Sequence, residues 1–359
     1  MRTLTRDEAR RIAVRAQLLD AARPADIVEV AEQIGAIKID PTATIAPAEQ
    51  TIPWSRIGGS YEPGQLTKAV EHDRQLFEFD GQFHAISRLA PMLARIRHRQ
   101  LRPATRDYLE ANAPFRSDVL VRLRADGPLL AAQIPDTSIV QGKREAGWYG
   151  SNEVPRMLEL LMRIGEVAIV GRVGRQRVWD LAERVYPADL PQYSEIEAEL
   201  ILQEHRLQAY GIVRHRSPWS RITEVGELVS VEGSEAKWRA DPQALATLDE
   251  DPGGRAAILN PYDRMLFDRP RLAELFDFDY VLEQFKPQAQ RRFGYFAHPI
   301  LVGDRFIGQL DAALDKKKEN LVVAAVHETI PFDDDEREMV DAEIGDLAAW
   351  LGVGLLGVA

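Results

Sequence analysis

Near the N-terminus, Ala9, Ile12, Ala13, Ala16 and Leu19 recur every three or four positions, a spacing that lines one face of a helix and predicts one from Thr5 to Leu19. Thr5 followed by Glu8 has the spacing of a capping box. Ile27, Val30 and Ala31 form a second stripe, predicting a helix over residues 24–33 with Asp26 and Glu29 outward and Gly35 ending it. Pro63, suited to a first helical turn, opens a third helix through Leu66, Ala69 and Val70. Between the second and third, "ATIAPAEQTIPWSRIGG" reads as loops, and Pro53 prevents a clean hairpin there.

The periodicity changes after Val154. "EVPRMLELLMRIGEVAIVGRVGRQRVWDLAERVYP" predicts a helix ending at Gly165, a strand "EVAIVGR", a turn at Gly174, a strand "RQRVWDL" and a stop at Pro187. A helix feeding a hairpin with an arginine-rich tip is the sequence pattern of a winged-helix domain, although a generic hairpin would read the same way. The organisation recurs in "EIEAELILQEHRLQAYGI" and "SRITEVGELVSVEGSEAKWRA", where Gly233 splits two strands and Trp238 stands as Trp179 does in its own hairpin. After "LDEDPGGRA" the pattern alternates in short strands, "GYFAHPILVGDRFIGQLDAAL" and "NLVVAAVHETI", and ends in a helical tail carrying Met339, Ile344, Leu347 and Leu351. The prediction is an α+β chain: winged-helix units over residues 1–95, 96–189 and 190–252, then a β-barrel-like domain over 253–359.

Composition narrows the class. With 359 residues and 45% hydrophobic content the chain can bury several cores. It has no cysteine, which excludes disulfides and thiolate chemistry. The charged N-terminus lacks a signal-peptide core, and the longest apolar run, "LAAWLGVGLLGVA", is shorter than the roughly 18–20 residues a membrane span requires. A cytoplasmic, soluble protein is expected. Net charge is -11, but residues 251–359 hold 20 acidic against 12 basic residues, which accounts for -8 of it. Upstream, "RIRHRQLRPATR" has five arginines and no acid, and "GRVGRQRVWD" has Arg172, Arg175 and Arg177. An acidic chain can therefore still present a basic surface to nucleic acid.

Candidate chemistry concentrates in "QIGAIKIDP", where Lys38 and Asp40 flank Ile39. In extended backbone both would share a face, with Ile37 and Ile39 toward the core, and Pro41 favours that geometry for Asp40. Other candidates carry less chemistry: Trp148 and Tyr149 in "REAGWYGSN" offer either base stacking or domain-junction packing, and His298 reads as structural. No carboxylate–histidine spacing suggests a metal. No glycine-rich phosphate loop appears, so neither metal nor organic cofactor is implied.

"EARRIAVRAQ", "GEVAIVGRVGRQRVWDLAERVYP" and above all "NPYDRMLFDRPRLAELFDFDYVLEQFKPQAQRRFGYFAHPILVGDRFIGQLD" resemble the AlkZ/YcaQ family of helix-turn-helix DNA glycosylases. The resemblance runs from Glu8 to about His327. It implies a C-shaped monomer of three tandem winged-helix domains and a C-terminal β-barrel, binding double-stranded DNA and hydrolysing the N-glycosidic bond of alkylated, bulky or crosslinked purines. The family's active-site motif, glutamine, an apolar residue, then glutamine or aspartate, falls on Lys38, Ile39 and Asp40. Asp40 matches the aspartate form, whereas Lys38 departs from both. The family's histidine after the third helix matches His84 of "FHAISRLAP", as a phosphate or active-site contact or as a structural residue. Arg172, Arg175 and Arg177 become DNA-backbone contacts on this reading and a solvated hairpin surface otherwise.

Cleaving the bond places positive charge on the sugar, which a nearby carboxylate stabilises while it orients or deprotonates water. An alkylated purine is already cationic and needs little protonation as it leaves, so one carboxylate could suffice. Lys38 has three readings: an ion pair with Asp40, a phosphate ligand beside the lesion, or a Schiff-base nucleophile of a bifunctional glycosylase/AP-lyase. From another class, the same fold would serve a catalytically silent winged-helix DNA-binding protein or transcriptional regulator.

Overall fold

A computed structural model describes residues 1–141, 152–250 and 253–357; Trp148 and Tyr149 lie outside the described residues. The chain forms two compact units, one of Met1–Leu66 with Gln203–Ala359 and one of Thr67–Leu202.

In the first unit the initial helix spans Arg6–Ala16. Thr5 Oγ1 accepts the Glu8 amide at 3.1 Å and the Glu8 carboxylate accepts the Thr5 amide at 2.7 Å, the reciprocal cap that typically contributes about 1 kcal/mol. The second helix, Ile27–Ile34, begins where its apolar stripe does rather than at residue 24. Asp26 is its cap rather than an outward helical residue, accepting the Val28 and Glu29 amides at 2.8 and 2.9 Å, and Gly35 ends it at φ 86°. "MRTLT", which shows no periodicity of its own, contributes a strand, Arg2–Leu4, parallel to Glu227–Val231. Trp238–Ala240 and Ile212–Arg214 complete a four-stranded sheet. Leu4, Ile12, Val229 and Trp238 share one core with Leu272, Phe276 and Phe306.

The loops read around Pro53 are instead a helix, Ala48–Ile57, with Pro53 inside it. An interior proline costs about 3 kcal/mol. Burial offsets it: Ile52, Trp54, Ser55 and Arg56 are at most 1% exposed. Arg56 forms an ion pair with Asp263 in which neither side chain is exposed, and its Nε donates to the Gln17 carbonyl at 3.1 Å.

The strand-rich C-terminal block of this unit is a half-barrel sheet of five strands, in the order Ala256–Ile258, His298–Val302, Arg305–Asp315, Asn320–Glu328 and Gly354–Leu356. Register shifts at Ile300/Leu301 and Asp311/Ala312 bend it. The tail helix, Asp334–Leu351, buries Val340, Ile344 and Leu347, with Met339 only half-buried. It is tied to the first part of the unit by Trp350 Nε1, which donates to the Tyr61 carbonyl at 2.8 Å. His298 is buried, as a structural residue would be.

In the second unit a hairpin, Leu76–Phe79 and Gln82–Ala85, turns at Asp80–Gly81, both left-handed at φ 48° and 72°. That pair is the geometry of a type I′ turn. Helices Pro103–Ala111 and Ala113–Asp126, a short strand Leu129–Leu130 and the helix Val154–Arg163 precede the predicted hairpin, Val167–Val173 and Gln176–Leu181. The hairpin turns at Gly174, φ 60°, and the short strand joins it as a third member. Phe115, Leu158, Val167 and Trp179 lie in the core beneath.

Candidate functional site

The segment leading to Asp40 leaves the second helix at Gly35 and forms the two-residue strand Ile37–Lys38. Ile37 is fully buried and Ile39 only half-buried, so one of the two expected anchors lies in the core. Lys38 and Asp40 are both half-buried. The Lys38 ammonium folds back to donate to the Ile39 carbonyl at 2.8 Å, while Asp40 Oδ1 accepts the Thr42 amide at 2.9 Å, closing an Asx turn. Beyond the turn, the Thr44 carbonyl accepts the Leu314 amide at 2.8 Å, fixing the loop to the half-barrel.

A second carboxylate meets this loop. Glu49, in the first turn of the Ala48–Ile57 helix where the helix dipole favours an anion, accepts the Asp40 main-chain N–H at 3.3 Å. Its neighbour Gln50 accepts the Tyr61 hydroxyl at 2.8 Å, and burial, aided by the Glu49 charge, pushes the Tyr61 phenol above its ordinary range. Thr51 Oγ1 accepts from Asn260 Nδ2 at 2.9 Å. Asn260 and Asp263 of "NPYDR" thus hold the helix that carries Glu49. Spacing gave no sign of Glu49, because Pro47 and Pro53 disguise its helix. Two carboxylates at one loop make an acidic locus suited to a developing cation and an attacking water. No group of three or more metal-ligating side chains occurs among the described residues.

The other candidates lie in the second unit. His84 sits on the Gln82–Ala85 strand rather than in a loop, half-buried, its ring 5.5 Å from that of Phe77. The arginine-rich hairpin tip is less solvated than its sequence suggests. Arg172 pairs with both oxygens of Glu78 at 3.0 and 2.8 Å, and Arg177 reaches Glu78 at 2.7 Å and Glu159 at 3.2 Å. Glu78 is 1% exposed, so these guanidiniums neutralise a buried carboxylate. Glu71 accepts the Arg172 amide at 2.9 Å, and a Cβ on Gly171 would meet that carboxylate at 2.7 Å. Arg175, at the tip, is exposed, as are Arg97, Arg99 and Arg102.

This α+β architecture, with its half-barrel sheet, is shared as a fold with the Streptomyces sahachiroi DNA glycosylase AlkZ: the TM-score is 0.66 at 16% identity, over 100% of each chain. Residues 31–350 match the sequence model of the family described as DNA glycosylase AlkZ-like. The chain belongs to that AlkZ-like DNA glycosylase family.

Proposed function

We propose that this protein hydrolyses the N-glycosidic bond of alkylated or crosslinked purines in duplex DNA. The observation that carries the reading is the position of Asp40, the motif's aspartate, in a turn braced by its own carboxylate and by Glu49. On this reading the C1′–N bond breaks with its electron pair leaving on the cationic base, which departs neutral. Asp40 stabilises the sugar cation and takes a proton from the water whose oxygen bonds to C1′. Lys38 steers the neighbouring phosphate, and Arg175 with the exposed Arg97–Arg102 segment contributes sequence-independent backbone attraction.

The element order of residues 103–181, two helices, a short strand, a helix and a hairpin, supports the reading of residues 96–189 as a winged-helix domain. We extend that reading to three such units, residues 1–95, 96–189 and 190–252, before the half-barrel, in a chain acting as a monomer. The test is release of 7-methylguanine, or unhooking of a nitrogen-mustard crosslink, by excess wild-type enzyme and by Asp40→Asn. Release by the wild type and its collapse in the variant are expected. A wild type that binds DNA but releases no base from either substrate would mark a silent DNA-binding protein instead.

A further inference from the structure

Phe285 is 89% exposed, the most exposed of the large apolar side chains among the described residues. It stands in the segment linking the Arg269–Phe276 helix to the His298–Val302 strand. A phenyl ring in water is unfavourable, and a floppy loop could fold it away. This loop is not free to do so. Glu283, 4% exposed, accepts the Arg292 and Phe293 amides at 2.7 and 2.8 Å and the Lys286 ammonium at 2.9 Å. Arg291 Nε donates to the Lys286 carbonyl at 3.0 Å. The returning limb of the loop packs Phe293 edge-on against His327, 5.5 Å between centroids. Gly294, at φ 117°, brings the backbone so close to Asp311 that a Cβ would lie 2.3 Å from its carboxylate. The segment is a braced, prong-like loop that exposes the Phe285 ring and carries Lys286, Arg291 and Arg292.

Hydrogen bonds connect the prong to the candidate site within the same unit. Gln284, next to Phe285, donates to the Tyr262 hydroxyl at 2.9 Å, the Tyr262 amide donates to Asn260 Oδ1 at 2.9 Å, and Asn260 holds Thr51, two residues from Glu49. A rigid aromatic tip flanked by cations, coupled to an acidic locus, matches a partner that offers phosphates and exposed base faces together. We infer that Phe285 packs against nucleobases unstacked at the damaged step of duplex DNA while Lys286 and Arg292 contact the flanking phosphates. The inference rests on the DNA-repair reading above. Rigidity suits this role: the ring loses little freedom on stacking, and stacking offsets the cost of opening a base step.

The test compares wild type, Phe285→Ala and Phe285→Trp on two duplexes, one intact and one holding a tetrahydrofuran abasic analogue opposite 2-aminopurine. Wild type and Phe285→Trp are expected to prefer the gapped duplex and change its 2-aminopurine fluorescence. Phe285→Ala should lose about tenfold or more of that preference and keep its affinity for intact DNA, which phosphate contacts set. Lys286→Gln with Arg292→Gln should flatten the salt dependence on both duplexes. Unchanged gap preference in Phe285→Ala overturns the inference, as does a wild type that binds neither duplex. So does a loss of self-association in Phe285→Ala with DNA binding intact, which would make the tip a protein contact. A wild type that shows the Phe285-dependent gap preference yet releases no base would sink the glycosylase reading alone.

Discussion

The carboxylate of Glu49 accepts the main-chain N–H of Asp40 across nine residues of sequence, at 3.3 Å. A side chain thereby fixes the backbone of the residue proposed to do the chemistry, and what it supplies is an acceptor. Glu49→Gln keeps an acceptor oxygen and loses the charge, whereas Glu49→Ala loses both. If positioning is its role, single-turnover base release should fall about tenfold in the alanine variant and recover in the glutamine variant, corresponding to about 1.4 kcal/mol. Equal loss in both would mean that the negative charge itself is needed at the sugar.

Asp40 has a structural task that can be separated from the chemical one proposed for it. Its Oδ1 accepts the Thr42 amide, and an asparagine oxygen can do the same. Asp40→Asn should leave the thermal midpoint and DNA affinity near wild type while base release falls by about 100-fold or more, since the lost interaction is made in the transition state. Asp40→Ala should lose the turn as well, with about 1 kcal/mol of stability. Parallel denaturation and single-turnover curves distinguish the two.

Much of this was legible in the chain, and the failures have physical causes. Thr5–Glu8, Gly35 and the Gly174 hairpin are local devices whose partners lie within a few residues. The Arg2–Leu4 strand pairs with residues more than 220 positions away, which no local pattern reveals. Pro53 argued for loops because propensity weighs against it, and burial of Trp54 and Arg56 overrode it. Asp80–Gly81 between alternating residues was a readable hairpin turn; the text "FEFDGQF" hides that Glu78 points inward, where only two arginines make its burial tolerable. The motif made Asp40 the candidate, and Glu49, which accepts its main-chain N–H, became visible only with the helix.

The Glu78 cluster divides the hairpin arginines by role. Removing one guanidinium leaves another on the buried carboxylate, but Arg172→Ala with Arg177→Ala leaves it unpaired, a loss of about 3–5 kcal/mol in urea unfolding. Arg175→Ala should cost almost no stability and lower DNA affinity and its salt slope. Equal stability of the double variant and Arg175→Ala would show that Glu78 finds other partners.

His298 should confer acid sensitivity. Burial pushes its imidazole down to about 4 from an ordinary 6.5, against the favourable backbone groups of Leu310 and Phe296. Between these values the unfolded chain binds a proton that the folded chain refuses, so stability is present above pH 6.5 and declines as pH falls toward 4, by about 3 kcal/mol at most. Against a His298→Gln variant, the wild type should show the steeper loss in unfolding curves taken across that window. Parallel pH dependences would mean that the imidazole protonates as readily folded as unfolded.

Lys38 is the position where, on the resemblance read from the sequence, this chain departs from the family motif, and its hydrogen bonding suggests a test of what the departure means. The ammonium donates to the Ile39 carbonyl, so its charge stays beside the Asp40 turn, where a phosphate flanking the lesion would meet it. Lys38→Gln restores the usual residue and retains a donor. Base release should then remain within about threefold of wild type at low salt, with weaker DNA affinity and a salt slope reduced by about one. Borohydride should trap no covalent complex in either protein if lysine only steers. Trapping and strand nicking by the wild type, both lost in Lys38→Gln with base excision intact, would instead require the amine to attack C1′, release the base and form a Schiff base with the opened sugar. The two outcomes differ on one gel, and they separate a lysine that holds the substrate from one that reacts with it.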